Sequence, residues 1–187
     1  VTDWLNDPIS SPKVPSQILY EPDGIKWGFD IPEGKEPLRW FKLLLLQDED
    51  IEPEIRNSIY IKEARETLKK LNKSAEMVVA DYIGLLWRHT LMTISATLGE
   101  GIVKDVPRRV VLTIPALWPD YGKSRLLQAA RNAGIGPSDL FICVEPEAAA
   151  IAAMYDLDLH GGPVKVFLIS SIILFAGLTT SRLERVT

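Results

Sequence analysis

The chain has 187 residues, 47% of them hydrophobic and 25% charged, with a net charge of −4. That length carries one domain with its own core, or part of a larger one, and the apolar content excludes a disordered chain. The acidic balance and scattered Lys and Arg leave no electrostatic footprint for nucleic acid.

In chain order, Val1 to Pro37 is rich in Pro, Gly and Asp, with no zoned secretory signal at its start. Within it, Gln17–Tyr20 and Lys26–Phe29 flank Pro22-Asp23-Gly24, which predicts a small antiparallel hairpin. Leu38–Leu46 (LRWFKLLLL) is a compact apolar run holding Arg39 and Lys42, and Asp48–Pro53 is an acidic break. Glu54–Leu71 predicts an exposed helix with Ile55, Ile59, Leu68 and Leu71 on one face. Ser74 suits the N-cap of a long helix reaching about Leu98. Val79, Ile83, Leu86, Ile94 and Leu98 keep helical spacing along it, and Gly99 and Gly101 end it.

The next stretch, Arg109–Asp156, is the most informative. An apolar run, Val110–Ile114, meets a Pro-bearing turn, and a helix is predicted from about Asp120 to Ala133, stopped by Gly134. A second run, Leu140–Val144, leads straight into Glu145, Pro146 and an Ala-rich helix. Two β-branched and aromatic runs about thirty positions apart, with a helix between them, make a βαβ unit in a parallel sheet. A carboxylate at the end of such a strand stands at the carboxyl edge of the sheet, where open α/β folds bind ligands. Glu145 is therefore the leading functional candidate.

Beyond it, Val164–Leu178 is the most apolar segment. As a helix it would cover only about 22 Å, short of a hydrocarbon core of about 30 Å. A divergent or artefactual tail is favoured, prone to aggregate; a buried central strand pair is the alternative.

Other chemistry is thin. The single Cys143 suits a reducing compartment and a strand-end core role, and His89 and His160 read as surface groups without ligand spacing for zinc. Trp118-Pro119-Asp120 resembles the acid loop of tyrosine phosphatases. That chemistry needs a low-pKa Cys beside an Arg, whereas Cys143 is followed by Glu145 and Glu147. The triplet reads instead as a turn and helix start with Asp120 as cap. Neither Gly99-Glu100-Gly101, Gly134-Ile135-Gly136 nor Gly161-Gly162 has a phosphate-loop pattern, and no G-x-S-x-G elbow is present. Glu145 can hold a metal-bound water and Lys42 can stabilise a phosphoryl group. On spacing alone the plainer readings come first: Glu145 suits a helix N-terminus, and Lys42 snorkels.

Val111-Leu112-Thr113-Ile114-Pro115-Ala116-Leu117-Trp118, the helix to Ala133-Gly134, and Glu145-Pro146-Glu147-Ala148-Ala149-Ala150-Ile151 resemble the nucleotide-binding domain of 70-kDa heat-shock protein chaperones. The likeness is closest to the divergent fungal-type branch with an actin-like ATPase domain. It extends upstream to Trp27-Gly28, Pro37–Leu44 and Val79–Tyr82, and covers roughly Thr2 to Asp156. It implies a ribonuclease-H-like, actin-type fold, here a mixed sheet with flanking helices, closing on magnesium with ATP or ADP. Glu145 would stand at the metal (through water) and cofactor site. Lys42, in an extended run, would orient the water and γ-phosphate. Pro115 and Lys123 would form an allosteric switch to client binding.

The family's first phosphate motif, D-x-G-T-T, would lie before Val1, and its second, D-x-G-G-G-T, does not appear at Val164–Ile173. The expectation is therefore a partial ATPase domain over residues 1–162 with a divergent tail over 163–187, weak or inactive toward ATP. A non-catalytic interaction or scaffold protein keeping the fold is the alternative. The resemblance further implies a stress-response chaperone in the cytoplasm. Its partners would be unfolded clients or co-chaperones, engaged through missing regions, with no nucleic acid and no membrane.

Overall fold

The computed structural model describes Trp4, Asn6, Asp7 and residues 13–101 and 107–149. The fold is mixed α/β, with two small two-stranded sheets among these residues. His160 and the apolar tail lie outside the described residues.

Strands β1 (Ile18–Glu21) and β2 (Gly24–Trp27) pair antiparallel, with Ile18 opposite Trp27 and Glu21 opposite Gly24. Pro22 presets the turn, and Gly24 takes a φ of 141°, which a side chain would resist. Ile18 also bridges to Leu38, so the apolar run starts as a third edge of the hairpin. It then leaves the extended state. Trp40 sits at φ 63° and Lys42 is helical (φ −61°, ψ −39°), followed by a 3-10 turn over Leu43–Leu45. The extended run expected around Lys42 is thus a tight turn. Alternating faces cannot bury Phe41, Leu43, Leu45 and Leu46 together with Lys42, and the turn does.

The helix expected over Glu54–Leu71 is two helices, α1 (Pro53–Arg56) and α2 (Ile59–Leu71). Ser58 divides them by capping α2, its Oγ accepting from the Ile61 amide. The break also changes the buried face: Ile61 and Ala64 face the core, whereas Ile59 is 59% exposed. Asn72 ends α2 in the left-handed region at φ 51°.

Ser74 caps α3 (Ala75–Leu98) as expected, accepting from the Met77 amide at 3.2 Å. Val79, Ile83 and Leu86 are buried, but Leu98 is exposed. Gly99, at φ 93°, ends α3, while Gly101 already belongs to a following helical stretch. Within α3 the fully buried residues end at Thr90, and the last two turns are half-buried to exposed. No helix among the described residues is long and apolar enough to cross a membrane.

The βαβ unit forms where the sequence predicts it. β3 (Val110–Ile114) and β4 (Leu140–Val144) pair in parallel, Val110 opposite Leu140 and Ile114 opposite Val144, joined by α4 (Asp120–Asn132). Val110, Leu112 and Ile114 turn one face of β3 into the core, and Leu126, Ala129 and Ala130 bury the facing side of α4. α4 packs on α3. At its end Gly134 takes φ 91° and the Ile135 amide reaches back to the Ala130 carbonyl, closing the last turn. The N-cap is Pro119, not Asp120, which is the first helical residue and makes no capping bond.

Candidate functional site

β3 and β4 run the same way, so the loop after β3 and the first turn of the helix after β4 meet at one edge of the ribbon. That loop holds Pro115 to Pro119; residues 145–149 are helical and begin with Glu145. Glu145 is half-buried, and its Oε1 is shut from solvent with no hydrogen-bond partner. Such an atom loses hydration without compensation, which costs about 1–3 kcal/mol unless something else bonds it.

Lys42 arrives from a segment about a hundred positions away. Only 6% of it is exposed, and its ammonium lies 5.5 Å from the centre of the Trp118 ring, within cation–π range. Burial pushes the ammonium below its usual range, and the Glu145 carboxylate, close enough to act on it, partly restores the charge. The structure therefore brings together Lys42 and Glu145, the two proposed catalytic residues. Lys42 does not snorkel: its whole side chain is enclosed. The void beside it, about 20 Å³ and shared with Phe41, Tyr82 and Leu126, has room for one water and none for a nucleotide.

The other two expected residues stand apart from this pair. Pro115 is half-buried at the end of β3, its carbonyl accepting from the Trp118 amide at 3.2 Å, which folds Trp118 back toward Lys42. Lys123 is on the first turn of α4 and pairs with Asp120 at 3.1 Å. Asp120 is 98% exposed, so this is a solvent-screened pair.

Sequence reasoning missed what fixes the Lys42 turn. Arg125 donates to the Leu45 carbonyl at 2.7 Å and reaches Glu76 on α3 at 3.4 Å. The Tyr121 hydroxyl accepts from the Gln47 amide at 2.9 Å and donates to Asp50. At Gly122 an added Cβ would stand 2.8 Å from Leu46 Cδ2, so any side chain there would have to displace the end of Leu46. An arginine, a tyrosine and a glycine on one helix carry no local pattern that names partners some eighty positions away.

Two further groups bear on the edge. Thr113 is fully buried in β3, and its Oγ1 also lacks a partner; one hydroxyl in an apolar run gave no signal beyond that. Cys143, its register partner, is half-buried, with Sγ 3.6 Å from Glu147 Oε2. Burial first, and the Glu147 carboxylate second, push this thiol up, which disfavours a thiolate nucleophile. His89 is not a plain surface group: its ring stacks on Trp4 at 5.3 Å and meets Trp27 edge-on at 5.9 Å.

Among the described residues no three His, Cys, Asp or Glu side chains converge to hold a metal ion. Glu145 could contribute to such a site only as one ligand, through its unbonded oxygen. The arrangement offers one carboxylate oxygen and one desolvated ammonium at the edge of a parallel ribbon, able to polarise a water or hold a charged group between them. No protein-family model, curated protein or solved structure matches this chain.

Proposed function

We propose that the chain is a partial nucleotide-binding domain of the 70-kDa heat-shock protein type. Its ribonuclease-H-like, actin-type fold would serve ATP-driven conformational change in a cytoplasmic stress-response chaperone. The observation that carries this reading is that Lys42 lies within electrostatic reach of Glu145 at the carboxyl edge of a parallel βαβ unit. It brings together, across a hundred positions, the two residues that the resemblance nominates for phosphoryl chemistry. The unbonded Glu145 Oε1 fits a water held on magnesium. Magnesium-ATP, when bound, supplies the scissile phosphoryl group and the Lewis acid. Glu145 would stand at the metal through water, and Lys42 would help orient the nucleophilic water and the γ-phosphate.

Clients and co-chaperones would engage regions that these 187 residues do not include, and neither nucleic acid nor membrane is expected as a partner. A second reading, a scaffold keeping the fold without the reaction, draws support from Lys42 itself. Its burial weakens the very cation that catalysis would use, and the adjoining void is too small for a nucleotide.

Calorimetry separates the two readings. The chain alone should bind magnesium-ATP weakly or not at all. Supplied on either side with segments carrying D-x-G-T-T and D-x-G-G-G-T, it should gain binding that Lys42→Ala and Glu145→Ala each remove. A chain that folds with those segments and still takes no nucleotide favours the scaffold. Micromolar binding by the chain alone, lost in the same variants, would mean that its own site is already complete.

A further inference from the structure

The run Leu38–Leu46 inverts the usual order of burial. It encloses Lys42 and leaves Trp40, its largest side chain, only half-buried. Trp40 holds a left-handed backbone at φ 63°, a conformation that strains a bulky residue. The turn itself asks for no indole here. Its carbonyl accepts from the Leu43 amide at 3.0 Å, a bond any residue could make and glycine could make without strain. What the indole does is lie on Tyr60, with ring centroids 5.8 Å apart and planes 26° from parallel. Tyr60 is 57% exposed and Ile59 beside it 59%, both on the first turn of α2. A stacked ring pair and an isoleucine thus stand together at the surface.

The ground around them is acidic. From Asp48 to Glu63 six carboxylates stand against two bases, Arg56 and Lys62. Asp48 is paired with Arg65 on α2, and Asp50 accepts from the Tyr121 hydroxyl. Glu49, Glu52, Glu54 and Glu63 are exposed and join no ion pair among the described residues. Glu63 lies one helical turn along α2 from Ile59 and Tyr60, on the same side of the helix. Glu54 is on α1, which packs against α2.

We propose that Trp40, Tyr60 and Ile59 form a docking shelf for a basic segment of a partner protein, one that interleaves arginine or lysine with apolar residues. Its apolar side chains pack on Ile59, and a guanidinium or ammonium lies on the aromatic pair, with Glu63 and the α1 carboxylates as counter-charges. An acidic segment would be repelled, and an uncharged one would strip water from the carboxylates without pairing them. A second copy of the chain using this face would set carboxylate against carboxylate. Because the stacked rings are fixed beforehand, docking costs little of their freedom.

The test is calorimetry on the whole chain with a capped peptide alternating arginine and leucine, and with counterparts carrying glutamine or glutamate in place of arginine. The arginine peptide should saturate, less tightly as salt is raised, and the other two should bind at least tenfold more weakly. Tyr60→Ala and Trp40→Gly, each checked for unchanged circular dichroism, should weaken it about fivefold or more, since each removes half of the ring pair. Should Trp40→Gly lose its fold, the exposed Tyr60 decides alone. Glu63→Gln should weaken binding about threefold. Asp139→Asn removes the same charge just before β4 and should leave binding unaltered. The proposal is overturned if the arginine peptide does not saturate, if the glutamine peptide binds as well, or if Tyr60→Ala changes nothing. Equal losses from Glu63→Gln and Asp139→Asn would also overturn it, leaving only diffuse attraction between an acidic chain and a basic peptide.

Discussion

α3 is shared by two unlike neighbours. The β3–α4–β4 unit is joined to it by apolar burial, through residues such as Leu126, Ala129 and Ala130. The hairpin and the segment leading to Lys42 are tied to it by aromatic and polar contacts between distant positions. Tyr82 donates to the Pro15 carbonyl at 3.1 Å and packs on Trp27 and Phe41, while Tyr20 reaches Asp81. Burial of a continuous apolar face is non-directional and depends on local periodicity. A hydrogen bond over sixty positions depends on the finished fold. The first kind of region should be robust to pH and fragile to truncation, and the second the reverse.

Truncating the apolar region should have the largest effect. Ile114 is fully buried at the end of β3, and Ile114→Ala should cost about 2–5 kcal/mol in urea unfolding. The loss should be the same at pH 7 and pH 10, because no titrating group is removed. A cost below about 1 kcal/mol would mean that this face is not packed as described.

The polar region should respond to alkali. Burial pushes the Tyr82 hydroxyl up to about 12 from an ordinary 10, with the Ser16 side-chain bond opposing. Its folded value exceeds the unfolded one, so the stability it contributes is whole below pH 10 and is lost as pH rises from 10 to about 12. That loss amounts to about 2–3 kcal/mol at most. Tyr20 shifts in the same direction, through burial first and then its bond to Asp81. Tyr82→Phe should lower stability at pH 7 by about 1 kcal/mol and flatten the alkaline decline. An unchanged decline would remove Tyr82 as its cause.

Lys42 shifts in the opposite sense. Its folded value lies below 10.5, so the unfolded chain holds the proton over the interval between the two values. Stability from this group therefore rises with pH across that interval, and the penalty of the buried ammonium is whole below it. Lys42→Met should become less advantageous, relative to the natural chain, as pH rises toward 10.5. Stability curves of the two proteins that stay parallel from pH 7 to 10.5 would contradict the enclosed ammonium.

The same division governs what could be read from the sequence. The βαβ unit was legible because Val110–Ile114, the α4 periodicity and Gly134 each act within a few residues and agree. The position of Glu145 followed, since it depends only on the strand that precedes it. The Lys42 turn was not legible. LRWFKLLLL is apolar at nearly every position, so periodicity gives no face, and Trp40 at φ 63° is a conformation bulky residues seldom take. The break at Ser58 was written in the sequence as a capping residue, but apolar spacing spoke for continuity and misassigned Ile59 to the core. His89 was misjudged because its stacking partners, Trp4 and Trp27, lie more than sixty positions away.

Close approach of the two regions can be tested at Gly122. A valine there would force the end of Leu46, itself buried, to move, and overpacking of this kind costs about 1–3 kcal/mol. Because α4 is also held by its packing on α3, the turn carrying Lys42 should give way first. Gly122→Val should therefore change Trp118 fluorescence, through its contact with Lys42, while the βαβ unit keeps its cooperative unfolding. Loss of cooperativity throughout would mean that the two regions unfold as one unit.

The smallest effect is expected at Lys123. Its ion pair with Asp120 spans one helical turn, and the carboxylate is almost wholly in water. Pairs of this kind contribute about 0–1 kcal/mol, and the side chain makes no other ion pair among the described residues. Lys123→Ala should leave the urea midpoint within about 0.5 kcal/mol of the natural chain at moderate salt. That silence makes the substitution informative. Pro115 cannot be replaced without disturbing the turn that folds Trp118 onto Lys42, so its loss confounds switching with structure. Lys123 carries no such burden. In a nucleotide-competent form of the chain, a change in ATP response on Lys123→Ala would be attributable to the proposed switch and not to lost stability. An unchanged response at unchanged stability would remove Lys123 from it.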